Sequence, residues 1–282
     1  MMASPFQDVL SQAERVELDT SGGRQVWHVW HRRAATQAPL VLLHGGSGSW
    51  MHWARNVEAL SADRPVWAID LPGFGDSALP PDVRDVDGVF PYVEEGMAQL
   101  FGDRQIDLMG FSFGGLTAGF LAAHYPARMQ RLMLIGIPAL GLFGQGRPMR
   151  GLRADMTEQE RAQVFRHNLL QLMLHHPESV DDEAIAMHAA NVSRDRLRRR
   201  RIARGDALLH LQQRWTCPVY TFWGEHDVLY PGRLEEVRQA LSGCRLMSFD
   251  VIPDAGHWVM YERAQAFNQR ACQTLRLPLA IT

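Results

Sequence analysis

Short runs that are apolar on both sides of the chain, alternating with longer one-sided segments, constrain this sequence more than any other feature. Pro39-Leu40-Val41-Leu42-Leu43 and Pro65-Val66-Trp67-Ala68-Ile69-Asp70 come first, followed by Ile106-Asp107-Leu108-Met109-Gly110 and Leu132-Met133-Leu134-Ile135-Gly136. Val219-Tyr220-Thr221-Phe222-Trp223-Gly224 and Arg245-Leu246-Met247-Ser248-Phe249-Asp250-Val251-Ile252 complete the set. Strands of this kind belong in a parallel sheet whose two faces are both covered by helices. The intervening segments can supply those helices. Their pattern predicts helices over 53–60, 92–101, 114–124, 234–241 and 262–275, the third stopped by Tyr125-Pro126. Alternating strands and helices imply an α/β fold with a mostly parallel, doubly wound sheet. Residues 15–20 and 25–32 instead alternate apolar and polar around Ser21-Gly22-Gly23, which predicts an antiparallel hairpin at the sheet edge.

The alternation breaks over 139–214, where no strand pattern occurs and helices are expected over 157–174, 181–191 and 195–211. The expected organisation is a core domain formed by 1–138 and 215–282, with 139–214 as a helical cap lying over the sheet. Arg196-Leu197-Arg198-Arg199-Arg200-Arg201 reads first as the solvated face of the last cap helix. The alternative is that one arginine turns inward to bind a substrate carboxylate.

Composition narrows the classes. A chain of 282 residues with 46% hydrophobic content can bury a substantial core. A net charge of −2 gives no support for a nucleic-acid partner. The longest apolar run, 132–144, is interrupted by Gly136, Pro138 and Gly141 and is too short to span a bilayer. Met1-Met2-Ala3-Ser4-Pro5-Phe6-Gln7-Asp8 lacks the basic start and apolar stretch of a signal peptide. Cys217, Cys244 and Cys272 are scattered and form no C-x-x-C pair, as expected of a reducing compartment. The expectation is a soluble, cytoplasmic protein acting on a small molecule, with no membrane partner and no cofactor.

Gly110-Phe111-Ser112-Phe113-Gly114 fits G-x-S-x-G, between a predicted strand and a predicted helix. This is the setting in which a serine hydroxyl is held above a sheet on a tight, strained turn. A serine hydroxyl needs a base to take its proton. Of twelve histidines, His257 stands out, in Pro253-Asp254-Ala255-Gly256-His257-Trp258 after the last strand. Loops at the carboxyl ends of parallel strands form the ligand-binding edge of such sheets. The base needs an acid to fix its tautomer, and Asp227 in Trp223-Gly224-Glu225-His226-Asp227 is favoured over Glu225 and Asp254. Backbone N–H groups of Phe113 and Gly46 are the expected oxyanion donors, with Ser47 as the substitute for Gly46. No P-loop, no complete G-x-G-x-x-G and no H-E-x-x-H occurs, so no metal site is expected.

His44-Gly45-Gly46-Ser47-Gly48, Asp70-Leu71-Pro72-Gly73-Phe74-Gly75-Asp76-Ser77, the Ser112 motif, Trp223 to Asp227 and Gly256-His257-Trp258 together resemble the α/β-hydrolase superfamily, over nearly the whole chain. The resemblance implies a Ser112–Asp227–His257 triad in that chain order and a mobile helical cap after the sixth strand. It implies a serine hydrolase that cleaves a carboxylic ester or related acyl bond through an acyl-enzyme. Gly256-His257-Trp258 with Tyr261-Glu262 and Phe267-Asn268 is also similar to the meta-cleavage-product C–C hydrolases, which cut a vinylogous diketo acid. Those enzymes usually carry asparagine where this chain has Phe111. Cofactor-free dioxygenases, perhydrolases and non-catalytic small-molecule receptors resemble the same fold and form the remaining alternatives. Serine at 112 argues against haloalkane dehalogenases and most epoxide hydrolases, which use aspartate there.

Overall fold

The computed structural model describes residues 7–31, 37–142, 144, 146–197 and 199–278. Residues 1–6, read above for a signal peptide, the hairpin end at Arg32, residues 143 and 145 of the insertion, and Arg198 of the basic run lie outside these.

The apolar runs pair side by side because each can bury both faces. The strands are β1 (Glu14–Thr20), β2 (Gly23–Trp30), β3 (Leu40–Leu43), β4 (Val66–Asp70), β5 (Ile106–Phe111), β6 (Met129–Ile135), β7 (Val219–Gly224) and β8 (Leu246–Ile252). They form one sheet in the order β1-β2-β4-β3-β5-β6-β7-β8. β1 pairs antiparallel with β2, and β2 antiparallel with β4. Every other pairing is parallel, so the carboxyl ends of β3 to β8 share one edge.

The helices are α1 (Gln7–Ser11), α2 (Val57–Leu60), α3 (Val86–Phe101), α4 (Phe113–His124), α5 (Glu158–Leu172), α6 (Asp182–Ser193), α7 (Ala207–Leu211), α8 (Leu234–Ala240), α9 (Val259–Glu262) and α10 (Ala264–Arg276). Alternate residues of the central strands feed two separate cores. Val41, Leu43, Ile69 and Leu108 pack with Val93 and Met97 of α3 and Leu116 of α4. Leu40, Leu42, Met109 and Met133 pack with Phe267, Ala271 and Leu275 of α10. The period-two split of the β3 run is therefore what covers both faces of the sheet.

Three expected helices differ. The 53–60 helix is broken: a 3-10 turn spans Trp50–Trp53, with the Ser49 hydroxyl accepting from Met51 N, and α2 follows separately. The 92–101 helix starts earlier, at Val86, where the Asp85 carboxylate accepts from Val86 N and Pro91 is tolerated inside the helix. None of the described residues within 195–206 is α-helical. Their backbone is captured by side chains instead: Asp195 Oδ1 accepts from Leu197 N, and the Asp85 carboxylate accepts from Arg201 N and Ile202 N. The Arg196 guanidinium donates to the carbonyls of Phe74, Gly75 and Ser77. Such local carboxylate bonds replace those a helix would make.

Among the described residues, the stretch between β6 and β7 contains helices but no strand. Its two ends are zipped together by Ala139 N to Ala203 O (3.1 Å), Gly141 N to Gly205 O (3.0 Å) and Leu208 N to Ala139 O (3.0 Å).

Candidate active site

Ser112 sits between β5 and α4 with φ 50° and ψ −113°, a left-handed conformation in a residue with a side chain. Such a conformation costs on the order of 1–3 kcal/mol and persists only where the surroundings enforce it. Here Ser112 N donates to Ile135 O (2.8 Å) and Ser112 O accepts from Leu116 N (2.9 Å). Close approach enforces the rest: a Cβ on Gly114 would lie 2.2 Å from Leu43 O. The turn can form only because α4 begins on glycines that lie against the end of β3.

His257 follows β8, and its Nε2 lies 2.9 Å from Ser112 Oγ. Its Nδ1 lies 2.9 and 3.0 Å from the two carboxylate oxygens of Asp227, which follows β7. Asp227 Oδ1 also accepts from Leu229 N (2.9 Å). Asp227 is fully buried and His257 nearly so, while Ser112 is half-buried. Gly136, at φ 53° just beyond β6, backs the pair: a Cβ there would lie 2.9 Å from His257 Cε1 and 3.0 Å from Asp227 Oδ2. The two acids weighed against Asp227 lie elsewhere. Glu225 is exposed and accepts from Asp254 N (3.0 Å), and Asp254 is exposed beside His176 and Arg263.

The serine opens into a cavity of about 430 Å³. Gly46, Ser47, Phe113 and His257 line its floor, and Pro138, Met149, Leu172, His188, Val192 and Arg200 from the stretch between β6 and β7 line its walls. Ser47 Oγ is engaged by the Asp195 carboxylate and by Arg200 Nη2 (3.2 Å). Arg200, paired with Asp195 at 3.0 Å, faces the cavity, so the inward alternative describes its position better than a solvated helix face. Its guanidinium carbon would lie 3.2 Å from a Cβ on Gly46.

Two buried histidines shape the Gly45-Gly46 loop. His44 Nε2 accepts from Leu71 N (2.9 Å), which leaves its Nδ1–H to donate to Gly45 O (2.7 Å). His52 Nδ1 accepts from Gly45 N (3.2 Å), so its proton sits on Nε2, and the ring lines the cavity. Burial pushes His44 down to about 3 and His52 well below the ordinary histidine value, keeping both neutral. Burial also lowers His188 to about 4. His188, which the sequence offers only as a surface or packed histidine in a helical stretch, lines the cavity, and His52, which stands in no motif, was not singled out.

A family model described as "Alpha/beta hydrolase family" matches residues 40–270. The protein named 1-acylglycerol-3-phosphate O-acyltransferase ABHD5 of Mus musculus is 36% identical over 149 residues, 50% of this chain and 38% of that protein. The chain thus spans less than half the length of that relative. A 2-hydroxy-6-oxononadienedioate/2-hydroxy-6-oxononatrienedioate hydrolase of a Pseudomonas species is 27% identical over 244 residues, 82% of this chain and 85% of the relative. The solved structure of carboxylesterase CesB (YbfK) from Bacillus subtilis superposes with TM-score 0.75 at 19% identity, covering 96% of this chain and 95% of that one. The enol-lactonase from Burkholderia xenovorans LB400 superposes with TM-score 0.73 at 22% identity, covering 93% and 100%. At these identities the structural likeness establishes the fold.

Proposed function

The chain belongs to the alpha/beta hydrolase family, and on that premise we propose that it is a serine hydrolase cleaving a small-molecule carboxylic ester or related acyl bond. One observation carries the reading: Ser112 Oγ lies 2.9 Å from His257 Nε2, whose other nitrogen is held by buried Asp227, at the floor of a cavity large enough for a substrate. His257 Nε2 accepts the Ser112 proton as Oγ attacks the carbonyl carbon. Asp227 holds the ring with its proton on Nδ1 and stabilises the imidazolium that forms. The N–H groups of Gly46 and Phe113 take the oxyanion. The leaving oxygen departs with the proton from His257, and water, deprotonated by His257, then releases the acid from Ser112. Residues 139–214 act as a cap that supplies the cavity walls.

A second reading rests on Arg200. A cation in the cavity wall suits a substrate carrying a carboxylate, as does the 27% identical hydrolase of oxo-dienedioates. In that reading the substrate first takes its keto form, the same serine attacks a ketone carbon, and the C–C bond breaks with its electron pair leaving as an enolate that His257 protonates.

Incubation with a fluorophosphonate probe tests the nucleophile. Intact mass is expected to show one adduct on the parent and none on a folded Ser112→Ala variant, which also loses ester turnover. An adduct on Ser112→Ala, or full turnover by it, refutes the assignment.

A further inference from the structure

On the outer face of the cavity wall, three loops bring a second set of chemically able side chains together. His175 follows α5, His226 follows β7 and Asp254 follows β8. One ligand atom from each lies within 4.8 Å of the others, and all three residues are exposed. We propose that His175, His226 and Asp254 form a binding site for a divalent first-row transition cation such as Zn2+, on the seam between the stretch after α5 and the loops after β7 and β8.

The backbone under the site is fixed by hydrogen bonds. The Glu262 carboxylate, largely buried, accepts from His175 N (3.0 Å), His176 N (2.8 Å) and Gly256 N (2.7 Å). His226 N donates to Ala255 O (2.8 Å), and Trp258 N donates to Met173 O (2.7 Å). One carboxylate and two backbone bonds thus hold the donor-bearing loops in mutual register, and such support is what a metal site needs beneath its ligands.

The two imidazole donors are unspent, while the Asp254 carboxylate is held by His176 and Arg263. Among the described residues neither the His175 ring nor the His226 ring makes a hydrogen bond; the nearest carboxylate contact is His226 to Glu225 at 3.9 Å. The rings stack on one another with centroids 3.8 Å apart and planes 21° from parallel. Asp254 Oδ1 accepts from His176 Nε2 (2.6 Å), the outer partner that orients a ligating carboxylate.

Two imidazoles and one carboxylate select the zinc, copper, nickel and cobalt ions over calcium or magnesium, which prefer all-oxygen sets. Bond lengths near 2.0–2.2 Å require both rings to turn about Cβ–Cγ until their lone pairs converge, so the stack opens on binding. The sequence held no metal motif because the ligands stand at 175, 226 and 254, on three loops with no fixed spacing. A bound ion would clasp the stretch after α5 to the core loops. A small cavity of about 70 Å³ lined by His175, His226, Gly256 and His257 lies at that seam.

The full chain, stripped with a chelator, is titrated with Co2+ followed by visible absorption and with Zn2+ followed by calorimetry and thermal melting. One equivalent is expected to bind and raise Tm. His175→Ala and His226→Ala should each weaken binding roughly tenfold or more and abolish the Tm rise, with circular dichroism unchanged. Absence of saturable binding below millimolar, unchanged binding in both variants, or an intense thiolate-to-cobalt band assigning the ion to the cysteines would each overturn the site.

Discussion

Replacing Asp227 by asparagine changes no volume, yet the one amide orientation that satisfies its neighbours favours the wrong tautomer of His257. Asp227 Oδ1 accepts from Leu229 N at 2.9 Å, and both carboxylate oxygens reach His257 Nδ1, at 2.9 and 3.0 Å. In Asp227→Asn the amide oxygen must occupy the Oδ1 place, since an NH2 there would meet the Leu229 N–H donor to donor. The NH2 then occupies the Oδ2 place and points at His257 Nδ1, which has to give up its proton and accept. His257 is forced into the tautomer with its proton on Nε2, directed at Ser112 Oγ, where a base is needed. The site is fully buried, so no bulk water relieves the conflict. Loss of the tautomer and of the charge that stabilises imidazolium is worth about 10⁴ in kcat, or ~5.5 kcal/mol of barrier. Turnover of a chromogenic ester at pH 7.5, with circular dichroism as the fold control, measures it. Glu225→Gln, at an exposed position, should stay within about twofold of the parent. A folded Asp227→Asn enzyme with more than a tenth of parental kcat, or the opposite ranking of the two variants, would refute the tautomer argument.

Three other perturbations follow from the same geometry. Gly136→Ala adds a methyl 2.9 Å from His257 Cε1 at a position with φ 53°; the displaced ring should lower kcat about a hundredfold in a folded protein, and parental kcat would contradict the packing. Arg200→Gln should raise KM for a carboxylate-bearing substrate about tenfold or more while leaving a neutral ester within about twofold, and equal effects on both would remove Arg200 as the selecting group. Stability should fall with acid: burial holds His44 at about 3, His28 and His188 at about 4, and His52 well below its ordinary value. Each folded value lies below the unfolded one near 6.5, so this stability is full above pH 6.5 and drains as pH falls, by up to ~1.4 kcal/mol per histidine per pH unit. Asp70, raised to about 6 by burial, works in the opposite sense between about pH 4 and 6, as do the Asp107 and Glu94 carboxyls that burial also raises, and together they offset part of the histidine contribution. Urea midpoints at pH 7, 6 and 5 should therefore drop in series, and a flat or rising series would refute the reading.

The central strands were legible because burial on both faces leaves only one kind of sequence; in the edge hairpin β1 is half-buried on one face, but β2 is buried on both from Gln25 to Trp30, its polar Gln25 and His28 included. Ser112, Asp227 and His257 were legible because each follows a strand whose end the pattern located, and the sheet order then brings those ends to one edge. Residues 195–206 failed for a reason no local pattern carries. Their backbone donors are taken by Asp85, more than a hundred positions away in sequence, and Arg196 is spent on the carbonyls after β4. The inward turn of Arg200 depends on Asp195 and Ser47 meeting across the cavity, a contact between distant parts of the chain. The His175–His226–Asp254 cluster is of the same kind.

The three backbone bonds that zip 139–141 to 203–208 also make this chain a convenient host for transplantation. Facing residues joined by such a bond, as Gly141 and Gly205 are, stand about 5 Å apart, a gap that a tight turn bridges. A replacement for the intervening sixty-odd residues would have to restore the core packing of Leu169, Met173 and Leu174 and the bond from Trp258 N to Met173 O, which lies next to His257. Libraries that vary only the wall residues Met149, Leu172, Val192 and Arg200 would alter the cavity while keeping the Ser112–His257–Asp227 geometry, so differences in what they bind could be assigned to shape and charge.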